Sequence, residues 1–183
     1  RKKAFFDGAC VAHVSLAHPV CGRLGKMTQR AMKELNISHH DRGTYITMEG
    51  PQFSTMAESL LYKDSWGCDV IGMTNHTEAR LAREAEIAYA SLSMVTDFDC
   101  WHQEHDAVTV EMIIGNLKAN ATATGPILFA LMEKLGRERP SSLAHDALKD
   151  ALMTPPDAVP AATRHRLDLF TSAYWGPATA PVQ

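Results

Sequence analysis

The sequence predicts an α/β fold with a largely parallel or mixed central sheet flanked by helices. Three observations lead there. Short β-branched or apolar runs alternate with stretches of helical periodicity. Three of those runs end in turns loaded with reactive side chains, as strands of an open α/β sheet do at their carboxyl ends. The 183 residues are 45% hydrophobic and 21% charged, ordinary globular usage with enough length to bury a core.

Val20, Leu24, Met27, Ala31 and Leu35 recur at helical spacing, so residues 19–36 are expected as an amphipathic helix. Thr44 to Met48 is a β-branched and aromatic run closed by Gly50-Pro51, which reads as a strand and a turn. Thr55 with Glu58 forms a capping box that opens a helix from Met56 to about Trp66. Cys68 to Gly72 is a short apolar strand. Asn75 and Glu78 then cap a helix bearing Leu81, Ala82 and Ala85 on one face. Tyr89 to Val95 is expected as a further strand. Val110, Ile113, Ile114, Leu117 and Ala121 make a long helical stripe, which Pro126 kinks or restarts before Leu128, Leu131 and Leu135. The last forty-odd residues are richer in Pro, Ala and charge, with short helices expected near 142–152 and 160–171.

Several function classes fall away. Eighteen Lys and Arg against 21 Asp and Glu give a net charge of −3, without the long basic runs that phosphate neutralisation requires, so no nucleic-acid partner is expected. No stretch approaches the ~18 consecutive apolar residues of a membrane span. Cys10, Cys21, Cys68 and Cys100 have no CxxC spacing and read as free thiols, with the cytoplasm as the expected compartment. Gly22 to Lys26 lacks the GxxxxGK[ST] spacing of a phosphate loop. Asp99, Cys100, His102 and His105 mix hard and soft ligands in no established metal spacing, and no metal is expected.

The chemistry gathers in three turns: Glu49 to Ser54, Met73 to His76, and Thr96 to Asp99. If their strands are neighbours, all three converge on one site. Asp97 and Asp99 have period-2 spacing past a strand end, so both can point into one cavity, where like charge favours keeping one of them neutral as a proton donor. A solvated acidic turn fits the same spacing. Phe53 suits an aromatic platform for a flat ligand or a core residue packing the following helix. His13, among Val11, Ala12 and Val14, reads as structural, and Met73 as a space-filler.

Taken together, Thr47-Met-Glu-Gly-Pro-Gln-Phe-Ser54 with Ala57-Glu58-Ser59, Trp66 to Thr74, and Ala90 to Trp101 resemble the trimeric purine nucleoside phosphorylase family. Phe5-Phe6-Asp7-Gly8, Ala12-His13-Val14 and Leu81-Ala-Arg-Glu-Ala85 match it in order. The resemblance covers about residues 1–135, and a helical tail over 136–183 diverges. It implies a three-layer architecture and a homotrimer. It also implies inverting phosphorolysis of 5'-methylthioadenosine to adenine and 5-methylthioribose-1-phosphate, with inorganic phosphate as co-substrate and no cofactor.

By this resemblance Asp97 is the acid that protonates the departing purine, and Asp99 assists at its 6-amino edge. Phe53 packs on the adenine, Met73 lies against the ribose, Thr74 contacts phosphate, and His13 sits near the 5' end. Members acting on 6-oxopurines carry Glu after the Gly-Pro-x-Phe phenylalanine and Asn at the position of Asp97. Here these are Ser54 and Asp97. Such members also carry a His for the 5'-hydroxyl where this chain has Val110, which with Ile113 one turn later suits a methylthio group. The resemblance leaves 5'-methylthioinosine or inosine phosphorolysis, and a purine-binding fragment without turnover, as alternatives. One departure is Thr77, where the family usually has Pro. Leu167 or Leu169 is the candidate for the tail residue that closes a neighbouring site. The chain opens on Arg1, with Phe5-Phe6 close behind, and the family's Gly-containing phosphate loop has no counterpart. The expectation is that residues 1–183 form the carboxyl-terminal part of a single phosphorylase domain, active only with an amino-terminal segment.

Overall fold

A computed structural model describes residues 3–102, 110–139 and 141–178. They fall into two compact units, one formed by Arg1–Leu24, Thr77–Ala90 and Ser141–Gln183, the other by Gly25–His76 and Ser91–Pro140.

The second unit holds the sheet. Strands β1 (Tyr45–Thr47) and β2 (Val70–Gly72) run parallel, with Tyr45 opposite Val70, Ile46 opposite Ile71 and Thr47 opposite Gly72. Pairing continues past the strand ends. The Asp69 amide donates to the Thr44 carbonyl at 2.8 Å and the Met48 amide to the Gly72 carbonyl at 2.8 Å. The Asp69 carboxylate also accepts from the Thr44 amide at 2.6 Å. Gly72 makes room for the Tyr45 side chain: a Cβ there would come within 1.9 Å of the Tyr45 hydroxyl, which would have to move.

Helix α1 spans Gly22–Glu34 and buries Met27, Ala31 and Met32. Val20 lies before the helix begins and Leu35 beyond its end, and both, expected on the buried stripe, are exposed. Asn36 turns into the left-handed region at φ 54°, and its amide donates to Lys33 while that of Ile37 donates to Met32. That is a Schellman stop, which ends the helix before a further turn can bury Leu35. Helix α2 (Met56–Leu60) opens on the Thr55 capping box read from the sequence, then widens into a π turn over Leu61–Ser65. Helix α4 (Val110–Arg137) runs unbroken through Pro126. No restart occurs. Ion pairs from Lys134 to Glu34 (2.6 Å) and Arg30 to Glu138 (3.1 Å) fasten its end to α1.

The first unit is built around Phe6, Cys10, Leu148, Val159 and Leu167. Helix α3 (Asn75–Glu84) stops by the same Schellman geometry, with Glu86 at φ 57°. A non-glycine residue there is strained, and the Glu86 side chain supplies compensation. It accepts from the Leu148 amide at 2.8 Å and the Tyr174 hydroxyl at 2.5 Å. Buried Arg83 donates to the carbonyls of Ser15 and His18 at 2.5 and 2.6 Å. Helix α5 (Ala161–Trp175) packs Phe170 on Phe5, ring centres 4.8 Å apart. Leu167 is buried in this core and Leu169 is exposed.

Two expected elements are corrected. Residues 142–152 form consecutive turns, each closed by a bond to the third residue back, and then a single antiparallel bridge between Leu152 and Ala12. Tyr89 to Val95 is not a strand: the carbonyl of Val95 takes a side-chain donor, Asn120, instead of a β-ladder partner. Among the described residues no helix is long and apolar enough to cross a membrane.

Candidate ligand site at the strand ends

The first two chemistry-bearing turns lie side by side because β1 and β2 are parallel neighbours. The His76 amide donates to the Thr47 hydroxyl at 3.1 Å, tying the turn after β2 to the end of β1. Gly50, at φ 66° and followed by a cis bond to Pro51, passes directly against Met73. A Cβ on Gly50 would meet the Met73 sulfur at 2.7 Å. The positive φ and the tight approach both call for glycine.

Phe53 leaves this turn with 81% of its surface exposed, which excludes the core reading and leaves a free aromatic face. Ser54 follows, its hydroxyl 3.8 Å from the Met48 sulfur. Thr55 and Glu58 then lock the start of α2, and the Thr55 amide and hydroxyl at the Glu58 carboxylate hold that acid below its ordinary pKa.

The third turn joins the first through α2. The buried Ser59 hydroxyl donates to Asp99 Oδ2 at 2.5 Å, and the Cys100 amide donates to Asp99 Oδ1 at 2.8 Å. The Cys100 thiol points to the Ser54 carbonyl at 3.8 Å. Asp97 accepts from the Thr96 hydroxyl at 2.6 Å and is exposed. The two aspartates thus have separate partners, with Asp99 held from both sides. Behind them His102 stacks on Phe98 at 4.7 Å, and the Lys63 ammonium sits 4.3 Å over the Trp101 ring. The carbonyls of Val95 and Thr96 receive Asn120 and Asn116 from α4.

The unit therefore brings together Phe53, Ser54, Met73, Asp97 and Asp99, with exposed Thr74 next to Met73. Ile113 is half-buried on α4, the helix that also carries Val110. His13 belongs to the other unit, where its side chain is exposed and its amide donates to Ala151 at 2.8 Å. Of the four residues weighed as metal ligands, His105 lies outside the described residues. Among those described, no three His, Cys, Asp or Glu side chains gather to hold a metal ion. Ser59, Asn116 and Asn120 escaped sequence reasoning as supports of the site. The signal available was weak: a serine inside the capped helix, and two asparagines four apart beside an apolar stripe.

Reactive turns at the carboxyl ends of adjacent parallel strands, over a capped helix, define an α/β ligand-binding domain. The chain belongs to the phosphorylase superfamily, whose family model matches residues 1–133. It is 50% identical over 181 residues to an S-methyl-5'-thioadenosine phosphorylase from Synechocystis sp., an alignment covering 97% of this chain and 55% of the relative. A protein of the same name from Cereibacter sphaeroides is 55% identical over 159 residues, covering 85% of this chain and 54% of the relative. In three dimensions the chain resembles a methylthioadenosine phosphorylase from an antarctic soil metagenomic library. That match has a TM-score of 0.86 and 44% identity, over 93% of this chain and 60% of the other. The methylthioadenosine phosphorylase of Schistosoma mansoni in complex with adenine gives a TM-score of 0.70 and 31% identity, over 75% and 55% of the two chains. The chain spans little more than half the length of these relatives.

Proposed function

We propose that the protein carrying this chain cleaves S-methyl-5'-thioadenosine with inorganic phosphate, releasing adenine and 5-methylthioribose-1-phosphate. One observation supports this above the rest: the exposed Phe53 face and Met73 lie in the turns after the parallel pair β1 and β2, and Asp99 of the Asp97–Asp99 pair is tied to Ser59 of α2, the helix that follows Phe53 in the same unit. The relatives named for this activity agree with it.

In this reading adenine stacks on Phe53 and meets Asp99 through its 6-amino group. Asp97 protonates N7 as the glycosidic bond breaks, which makes the base a better leaving group. Met73 covers one side of the ribose, and Thr74, beside it, contacts the phosphate that attacks from the opposite face. Ser54 leaves the purine edge without the carboxylate that a 6-oxopurine would use, and Val110 and Ile113 offer an apolar seat for the methylthio group. His13 approaches the 5' end from a neighbouring subunit of a homotrimer. Purine and methionine salvage in the cytoplasm is the proposed setting. The test is phosphate-dependent adenine release from S-methyl-5'-thioadenosine by the full-length protein, with adenosine and inosine for comparison. Turnover that is indifferent to phosphate, or faster on inosine, overturns the reading.

A further inference from the structure

We infer that Ser59 is a positioning residue that sets the 6-amino preference of the purine site by holding Asp99. The inference rests on the proposed function and adds a residue to it. Ser59 is 2% exposed, inside α2, so its hydroxyl has no access to a ligand. A buried hydroxyl on a helix has to find a protein acceptor. This one reaches forty residues along the chain to Asp99 Oδ2 at 2.5 Å, instead of bonding back to its own helix. The Cys100 amide takes the other oxygen at 2.8 Å.

Two donors, one from α2 and one from the next residue of the same turn, take one oxygen each and fix the plane of the carboxylate. Each carboxylate oxygen has about two acceptor directions, so each keeps one for a ligand. A carboxylate fixed in this way accepts from an exocyclic amino group and opposes a 6-oxo oxygen. Among the described residues, neighbouring Asp97 is not held by a buried side chain: its hydroxyl donor is Thr96, the adjacent residue. The base-edge acceptor is held by the core, while the acid sits on an exposed turn.

The test is a double-mutant cycle on the full-length protein, read as adenine and hypoxanthine binding by calorimetry alongside turnover. Ser59→Ala should weaken adenine about tenfold, the usual scale for a lost hydrogen bond to a charged group, and leave hypoxanthine unchanged. Ser59→Cys, close in volume with a weaker donor, should fall between Ser59→Ala and wild type, and it reads the same effect if the alanine variant folds poorly. In an Asp99→Asn background, Ser59→Ala should add nothing. Equal losses for both bases, or additive effects in the cycle, overturn the role of Ser59 while the proposed function stands. Base binding without phosphorolysis overturns the proposed function and still reads the role of Ser59. A wild type that binds neither base overturns both.

Discussion

Asn120 donates its side-chain amide to the Val95 carbonyl at 3.0 Å, and Asn116, one turn earlier on α4, does the same for Thr96. Thr124, one turn later, reaches the Met94 sulfur at 3.0 Å. A single helix face thus holds three consecutive residues that lead directly into Asp97. Asn120→Ala should cost about 1 kcal/mol in a urea titration, the net worth of one such bond, and adding Asn116→Ala should roughly double it. An unchanged unfolding midpoint in the double variant would mean the clamp holds nothing. On the proposed function, the same variant should lower kcat more than it raises KM, because Asp97, the proposed acid, is displaced while Phe53 and Met73 keep their places.

Gly50→Ala combines two penalties. The left-handed backbone costs roughly 1–2 kcal/mol for a residue with a Cβ, and that Cβ would press on the Met73 sulfur, 2.7 Å away. Melting temperature should fall, and KM for the nucleoside should rise several-fold as Met73 is pushed aside. Adding Met73→Ala should relieve the clash but not the backbone cost. Full recovery of stability in the pair would place the whole penalty on packing.

If Asp97 is the proposed general acid, Asp97→Asn should shift preference from 6-amino toward 6-oxo nucleosides and depress kcat on methylthioadenosine about 10²-fold or more. Competition between S-methyl-5'-thioadenosine and 5'-methylthioinosine in one reaction mixture measures it directly. Unchanged selectivity would remove Asp97 from its assigned role.

Burial, followed by the hydrogen bond to Glu86 and its negative charge, pushes the Tyr174 hydroxyl up to about 12. The unfolded chain releases that proton near its ordinary value of 10.0. Between these values the unfolded state binds fewer protons than the folded one, so stability declines as pH rises. The contribution is whole below about 10 and gone above about 12. Tyr174→Phe should therefore flatten the alkaline limb of a stability-against-pH curve in that window. An unaltered limb would show that another group governs it.

What the sequence disclosed was local. The Thr55–Glu58 box is written in two residues three positions apart and forms as read. Strands β1 and β2 carry their own β-branched side chains, and the turns after them follow from Gly50-Pro51 and the start of α3. Tyr89 to Val95 looked like a strand by composition, but a strand exists only through a partner, and side chains of α4 take that place at its end. The 142–152 segment, expected as a short helix, bonds its amides three residues back and remains a series of turns. Ser59 and Asp99 are forty residues apart and share no periodicity, so only the fold could join them.

The bridge between Ala12 and Leu152, with the Val11 and His13 bonds on either side, has a consequence for biosynthesis. The first of those segments leaves the ribosome some 140 residues ahead of the second. At typical elongation speeds the early one waits about ten seconds for its partner. During that interval Phe6 and Cys10 lack Leu148 and Leu167, the residues that later enclose them. Nascent chains stalled before residue 148 should therefore bind a chaperone holdase through the Phe5–Phe6 stretch, and chains released after Trp175 should not.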